Sequence, residues 1–225
     1  MEHASEEIRP GDPRGMRALQ PGGEYRPGPG GTTTCVVADR WGNLVAATPS
    51  ANLPSGGGAT GVAHGNRLRS LNTTDGHPNR IKPGKRPRIT LTPTLVLKNG
   101  KPVMAVSVSG GDLQDQTTLN LLLDVIEFGM MPADAVTAPR FATRHHENSF
   151  NPNPARTETV SRLNALVVND TVPPNVRDAL AARGHEVTTR ARALSLPVMI
   201  YIDQTTGILY AAGDPNAGRH AAAID

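Results

Sequence analysis

The chain has 225 residues, a formal net charge of +3, one cysteine and 3% aromatic residues. That length is enough for one large domain or two small ones with a real core, built of necessity from Val, Leu, Ile, Ala and Met. A lone Cys35 excludes an intrachain disulfide framework and a cysteine-based metal site. The scattered arginines, denser only at Arg80, Arg86 and Arg88, make no aromatic-interleaved basic stripe, so no nucleic-acid partner is expected. No apolar run approaches spanning length, so no membrane partner is expected either.

In chain order, residues 1–31 lack apolar periodicity and have the Pro- and Gly-rich composition of a linker. The polar, acidic stretch after Met1 does not read as a signal peptide. "TTTCVVADRWGNLVAATPSAN" predicts a β-hairpin turning at Trp41-Gly42-Asn43, with Cys35 as a small buried strand residue. Residues 53–62 and 72–88 read as loops, the first glycine-rich, the second rich in Asn, Thr, Pro and Arg. "TPTLVLKNGKPVMAVSVSGG" predicts a second hairpin at Asn99-Gly100, since a two-residue turn with both φ values positive favours Asn-Gly. A helix follows, with Asp112 as expected N-cap, Gly129 at its end, and Leu119, Leu122, Leu123 and Ile126 as one buried face. Pro132 opens a short helix that stops before Pro139. "VPPNVRDALAARGHEV" predicts a third helix ended by Gly184 and entering a strand, and "VMIYIDQTTGILYAA" a last hairpin. Hairpins and grouped helices, without regular βαβ alternation, indicate an α+β fold.

Three stretches carry possible chemistry. Thr32, Thr33 and Thr34 at a strand mouth express β-propensity. Alternatively, Thr32 becomes a chain terminus, where its own α-amine, of pKa about 8, serves as the base its hydroxyl needs. Gly31, without a side chain, leaves the Gly31–Thr32 carbonyl open to attack. Gly110-Gly111 is a plain strand-to-helix turn or a set of unobstructed amides for an oxyanion. His145 and His146 suggest a metal, but adjacent residues of a strand point oppositely and no second ligand set has metal spacing. No metal or cofactor is expected.

Taken together, these motifs resemble the small, catalytic subunit of the γ-glutamyltranspeptidase family of N-terminal-nucleophile hydrolases. Thr32-Thr33, Asp39 and Gly42-Asn43 match "TTHxSVVDxxGN"; "ATPSAN" matches "VTxTxN"; "KRPRITLTPTLVLKNGKP" is similar to "KRPxSSMSPTxVxxxGKP". "SGGDLQDQ" resembles "PGGDxQxQ" of the γ-glutamyltranspeptidase-like branch more closely than "GSPGGS" of the transpeptidases proper. "ADAVTAPRF" and "GILYAAGDPNAG" also match, so the resemblance covers nearly all of residues 32–225. It implies an αββα sandwich, incomplete without a large-subunit half, with residues 1–31 as linker or tail of that half and 32–225 as the catalytic small-subunit-like domain.

The resemblance further implies autocleavage after Gly31, with Thr32 as nucleophile and general base, Ser50 as a second hydroxyl polarising it, and the Gly110 and Gly111 amides as the oxyanion hole. Asn52 would bind the amino-acid end of a γ-glutamyl amide. The chain departs from the family where the pattern "NNQMDDF" falls on "GNRLRSL": Arg67 and Ser70 replace the Gln and the Asp that seat an α-ammonium. Ile89 and Thr90 replace two serines that seat the α-carboxylate, and Thr34 stands where a histidine is common. A free γ-glutamyl donor is therefore expected to bind poorly. The alternatives are an inactive truncated or split-gene subunit that only pairs with a partner, and a cephalosporin-acylase-like amidase. The compartment is cytoplasmic if Met1 is the true start, and periplasmic or extracellular by resemblance.

Overall fold

The computed structural model describes residues 11–12, 17–18, 31–50, 67–143, 149 and 164–223. Two compact units partition the chain, 1–31 with 51–65, and 32–50 with 66–225. In the first, Gly11–Asp12 (β1) pairs antiparallel with Arg17–Ala18 (β2).

The second unit is built on a four-stranded antiparallel sheet. Its strands are Thr94–Lys98 (β5), Lys101–Ser109 (β6), Leu196–Ile202 (β10) and Leu209–Gly213 (β11), in the order β11-β10-β6-β5. Asn99 (φ 53°) and Gly100 (φ 76°) turn β5 into β6, as their sequence predicted. Central β6 is covered on both sides, and from Val103 to Ser109 every residue is buried. Val106 and Val108 pack with Met199 of β10 beneath two helices, Gln114–Ile126 (α1) and Pro132–Thr137 (α2), which contribute Leu121, Ala135 and Val136. Cys35–Ala38 (β3) and Leu44–Ala47 (β4) form an antiparallel hairpin against the same sheet, where Ser107 of β6 reaches the Ala47 carbonyl and the Thr48 hydroxyl. Helices, sheet and hairpin make an α+β arrangement.

Two expectations are corrected. The buried face of α1 is Gln114, Thr117, Thr118 and Leu121; of the expected face, Leu122 is partly buried against the core, whereas Leu119, Leu123 and Ile126 are exposed. The spacing is the expected one, shifted by five residues, which rotates the face by about 140°. Cys35 is exposed, because alternation along β3 turns Val36 and Ala38 toward the sheet and Cys35 and Val37 away. Beside the hairpins and grouped helices, the described residues include a βαβ unit in a separate three-stranded sheet. Phe141–Thr143 (β7) pairs antiparallel with Ala165–Asn169 (β8), and β8 runs parallel to Glu186–Arg190 (β9) after helix Pro174–Ala182 (α3). Parallel neighbours need such a crossover.

A buried ion pair between Arg140 and Asp214 links the segment after α2 to the end of β11. Arg140 also donates from its guanidinium to the Val136 carbonyl (2.5 Å) and from its backbone to Asn169 Oδ1 (2.8 Å). A Cβ on Gly213 would lie 2.7 Å from the Arg219 carbonyl carbon, so only glycine permits this approach.

Candidate active site

The β3–β4 hairpin brings its own two ends together. Its turn is held by Asp39, whose carboxylate accepts from the Trp41 (3.0 Å) and Asn43 (2.9 Å) amides and from Asn43 Nδ2 (2.7 Å). The Asn43 side chain foremost, with those backbone donors, holds the Asp39 carboxyl below its ordinary range. Asp39, Gly42 and Asn43 therefore set the register of the strands. At the open end Thr32 bridges to Ser50, the Thr33 amide donates to the Pro49 carbonyl (2.9 Å), and Thr32 Oγ1 lies 2.8 Å from Ser50 Oγ.

The end of β6 holds this pair from the sheet side. Ser109 Oγ donates to the Thr32 carbonyl (3.2 Å), and Ser107 Oγ donates to the Ala47 carbonyl (2.8 Å) while pairing with Thr48 Oγ1 (2.7 Å). Gly110 and Gly111 come directly after Ser109. Gly110 is extended, and a Cβ there would meet Ser195 Cβ at 3.2 Å; Gly111 is left-handed, with φ 60°. Both positions favour glycine, one by space and one by backbone. A 3₁₀ turn, Gly111–Leu113, then leads into α1.

Asp112 does not cap α1: the intervening 3₁₀ turn makes Leu113 the residue before the helix, with no side-chain cap. Instead the Asp112 carboxylate accepts from the Ser149 amide (3.1 Å) and the Ser149 hydroxyl.

Arg67 and Ser70 share a 3₁₀ turn, Arg67–Ser70. Ser70 and Thr90 are each 4% exposed, and neither hydroxyl has a hydrogen-bond partner among the described residues. Their loops are knit by Asn79, which donates to the Ser70 carbonyl and accepts from the Arg88 amide (3.0 Å). Thr34 Oγ1 is likewise buried and unpaired among the described residues. Thr32, Ser50 and the strand end leading to Gly110 are thus brought together, and Asn79 joins the turn bearing Ser70 to Arg88, two residues before Thr90. Gly31 belongs to the first unit and is exposed. Asn52, residues 53–62, His145 and His146 lie outside the described residues.

Sequence reasoning missed Ser107 and Ser109, visible only as polar residues in an apolar strand, and Gln114, Gln116 and Ser149. Among the described residues, no three His, Cys, Asp or Glu side chains gather as a metal site would require. A groove of about 790 Å³ runs between β3 and β10–β11, lined by Val36, Val198 and Ile200 among others, but neither Thr32 nor Ser50 borders it.

A family model described as Gamma-glutamyltranspeptidase matches residues 2–224. The glutathione hydrolase proenzyme of Bacillus subtilis (strain 168) is 31% identical over 87% of this chain and 31% of its own length. A solved gamma-glutamyltranspeptidase chain from Helicobacter pylori superposes with TM-score 0.63 at 27% identity, covering 82% of this chain and 99% of that one. The cephalosporin acylase of Bacillus halodurans gives TM-score 0.58 at 29% identity, over 70% of this chain and 26% of that one. The chain spans about a third of the length of the curated relatives it matches.

Proposed function

Since the chain belongs to the gamma-glutamyltranspeptidase family, we propose that it is the catalytic part of an amide-cleaving acyl-transfer enzyme whose nucleophile is Thr32. The observation that carries this reading is the Thr32–Ser50 hydroxyl pair at 2.8 Å, with the Thr32 carbonyl tied to Ser109 beside Gly110-Gly111. In maturation, Thr32 Oγ1 attacks the Gly31 carbonyl carbon, the Gly31–Thr32 C–N bond breaks to leave an ester and a free α-amine, and water hydrolyses the ester. In turnover, that amine takes the hydroxyl proton as Oγ1 attacks the donor amide. The Gly110 and Gly111 amides receive the developing oxyanion. The leaving amine takes the proton, and water or a second amine accepts the acyl group from Thr32. Ser50 orients the attacking oxygen.

The relative lengths and the exposed apolar surface support a second half as partner. Trp41 is 76% and Phe128 74% exposed, with Leu97, Leu119 and Ile126 also out. The donor's far end meets Arg67, Ser70 and Thr90, without the carboxylate that would pair an ammonium. Asn52, by family resemblance, binds the donor's amino-acid end. Lacking that carboxylate costs an ammonium-bearing donor roughly 30-fold or more in affinity. The preferred donors are therefore amides whose acyl end is anionic or neutral. The likeness to the cephalosporin acylase and the buried Ser70 hydroxyl favour a cephalosporin-acylase-like specificity as the second reading.

The test is the protein produced with its large-subunit half. Mass spectrometry is expected to show cleavage between Gly31 and Thr32, and glutaryl-p-nitroanilide to exceed γ-glutamyl-p-nitroanilide in kcat/KM. Thr32→Ala removes processing and turnover together, and Thr33→Ala is milder. Ser70→Asp with Arg67→Gln raises γ-glutamyl activity. Full activity in Thr32→Ala ends the nucleophile assignment; equal turnover of both anilides ends the specificity assignment.

A further inference from the structure

The stretch "GGDLQDQ" contains more polar side chains than a turn into a helix needs, and each ties down a different segment. Asp112 accepts from the Ser149 amide and hydroxyl, and the Arg88 guanidinium donates to that same hydroxyl, 3.8 Å from Asp112 Oδ1. Gln114 is fully buried, and its side-chain amide is assigned the orientation that satisfies its surroundings, in which the nitrogen donates to the Val108 carbonyl (2.9 Å) and the Thr90 carbonyl (3.0 Å). Gln116 makes a two-way bond with the Thr143 backbone, Nε2 to the carbonyl (3.0 Å) and Oε1 from the amide (3.0 Å).

The spacing explains the division. At about 100° per residue, positions 112 and 116 fall on one side of the helix start and position 114 on the other. Asp112 and Gln116 therefore take Ser149 and Thr143, while Gln114 faces the sheet and bridges the strand ahead of Gly110 to the loop bearing Thr90. None of the three belongs to the Thr32–Ser50 pair. A buried amide satisfied by two carbonyls from separate segments fixes their separation, because losing it leaves both acceptors unpaired.

We propose that Gln114, directly through the Thr90 carbonyl, and Asp112, through Ser149 and Arg88, are positioning residues that hold the Gly110-Gly111 turn at a set distance from the Thr90 loop, with Gln116 anchoring the same helix start to Thr143, so that the oxyanion donors and the donor-binding end meet one substrate. This rests on the proposed function above. Donors aimed at an oxyanion act in the transition state more than in the ground state, so loosening them lowers kcat more than it raises KM. A displacement of about 1 Å costs about 100-fold in rate.

The experiment uses the processed protein assembled with its large-subunit half, glutaryl-p-nitroanilide as donor, and kcat expressed per site titrated by the acyl-enzyme burst. The unsubstituted protein must show burst and turnover, and Thr32→Ala neither; failure at this stage strikes the functional reading, not the positioning role. Given that control, Gln114→Met and Asp112→Ala are expected to lose 30- to 100-fold in kcat per titrated site, with KM changed less than threefold. Asp112→Asn, which keeps an acceptor oxygen for the Ser149 amide, recovers most of the rate. Ser149→Ala, which removes the hydroxyl and leaves the amide bond to Asp112, loses part of what Asp112→Ala loses, and the double variant is no worse than Asp112→Ala alone. Should Asp112→Ala or Gln114→Met not assemble, Ser149→Ala and Asp112→Asn decide the outcome by the same readout. An unchanged kcat per titrated site, or rate losses that merely multiply in the double variant, overturns the proposal.

Discussion

Helices α1 and α2 lie on the same face of the sheet and are built on opposite plans. Helix α2 buries Pro132, Ala135 and Val136 and exposes Ala133, Asp134 and Thr137, as an amphipathic surface helix should. Helix α1 buries Gln114, Thr117 and Thr118 with Leu121, and presents Leu119, Leu123 and Ile126 outward. Core formation alone explains α2. In α1 the inner polar groups are all bonded: Gln114 to two carbonyls, Thr117 Oγ1 to Ser195 Oγ at 2.8 Å, and Thr118 Oγ1 to Thr92 Oγ1 at 3.1 Å. Its inner face is a set of satisfied polar contacts, and its outer face is apolar and exposed.

The largest effect separating the two helices' shared core from α1's special features should come from Leu121, 1% exposed and the apolar anchor of α1. Leu121→Ala is expected to cost about 2–5 kcal/mol in urea unfolding, as cavity formation in a packed core does. Thr117→Val comes next, because it strands a buried Ser195 hydroxyl, at about 1–3 kcal/mol. Adding Ser195→Ala should cost less than the two single losses together, and strict additivity would deny the bond its role.

Asp124 lies between the two faces, and burial raises its carboxyl above the ordinary value against a smaller opposing pull from Arg140. A raised folded-state value means the native state holds the proton longer. Stability therefore falls as pH rises from the unfolded value through the folded one. Asp124→Asn should stabilise slightly at pH 7 and do nothing near pH 3, as read by melting temperature at both. The smallest change is expected on the outer face: Leu119→Lys or Ile126→Lys should alter stability by about 0.5 kcal/mol or less. The same substitutions should weaken co-purification with the large-subunit half. A loss of stability comparable to that of Leu121→Ala would mean that the face is already packed within this chain.

Local signals were legible, and distant ones were not. Asn99-Gly100, Pro132 and Gly184 announce a turn, a helix start and a helix end through their own backbone preferences, and each does so in the structure. The Thr32–Ser50 pairing was implied by the family resemblance, and the β3–β4 hairpin brings the two hydroxyls within 2.8 Å. The rotation of α1 was hidden because periodicity locates an apolar stripe without saying whether it faces core or partner. Asp112 has the residue type of an N-cap, but its acceptor capacity goes to Ser149, 37 residues away. The β8–β9 pairing depends on a crossover that no local pattern encodes. The three roles within "GGDLQDQ" became readable only once Thr90, Thr143 and Ser149 were seen beside it.

Cys35 gives the molecule an addressable point. It is the sole thiol of the chain, it is exposed, and it lies three residues after Thr32 on the outward side of β3. A maleimide dye therefore attaches at one place, with no competing sulfhydryl to remove first. On a protein cut between Gly31 and Thr32, the label rides with the fragment that begins at Thr32, so a fluorescent gel reports maturation without an antibody. The same lone thiol can join two copies through one covalent bridge and no more, so preparations kept without reductant should show a dimer band that dithiothreitol dissolves.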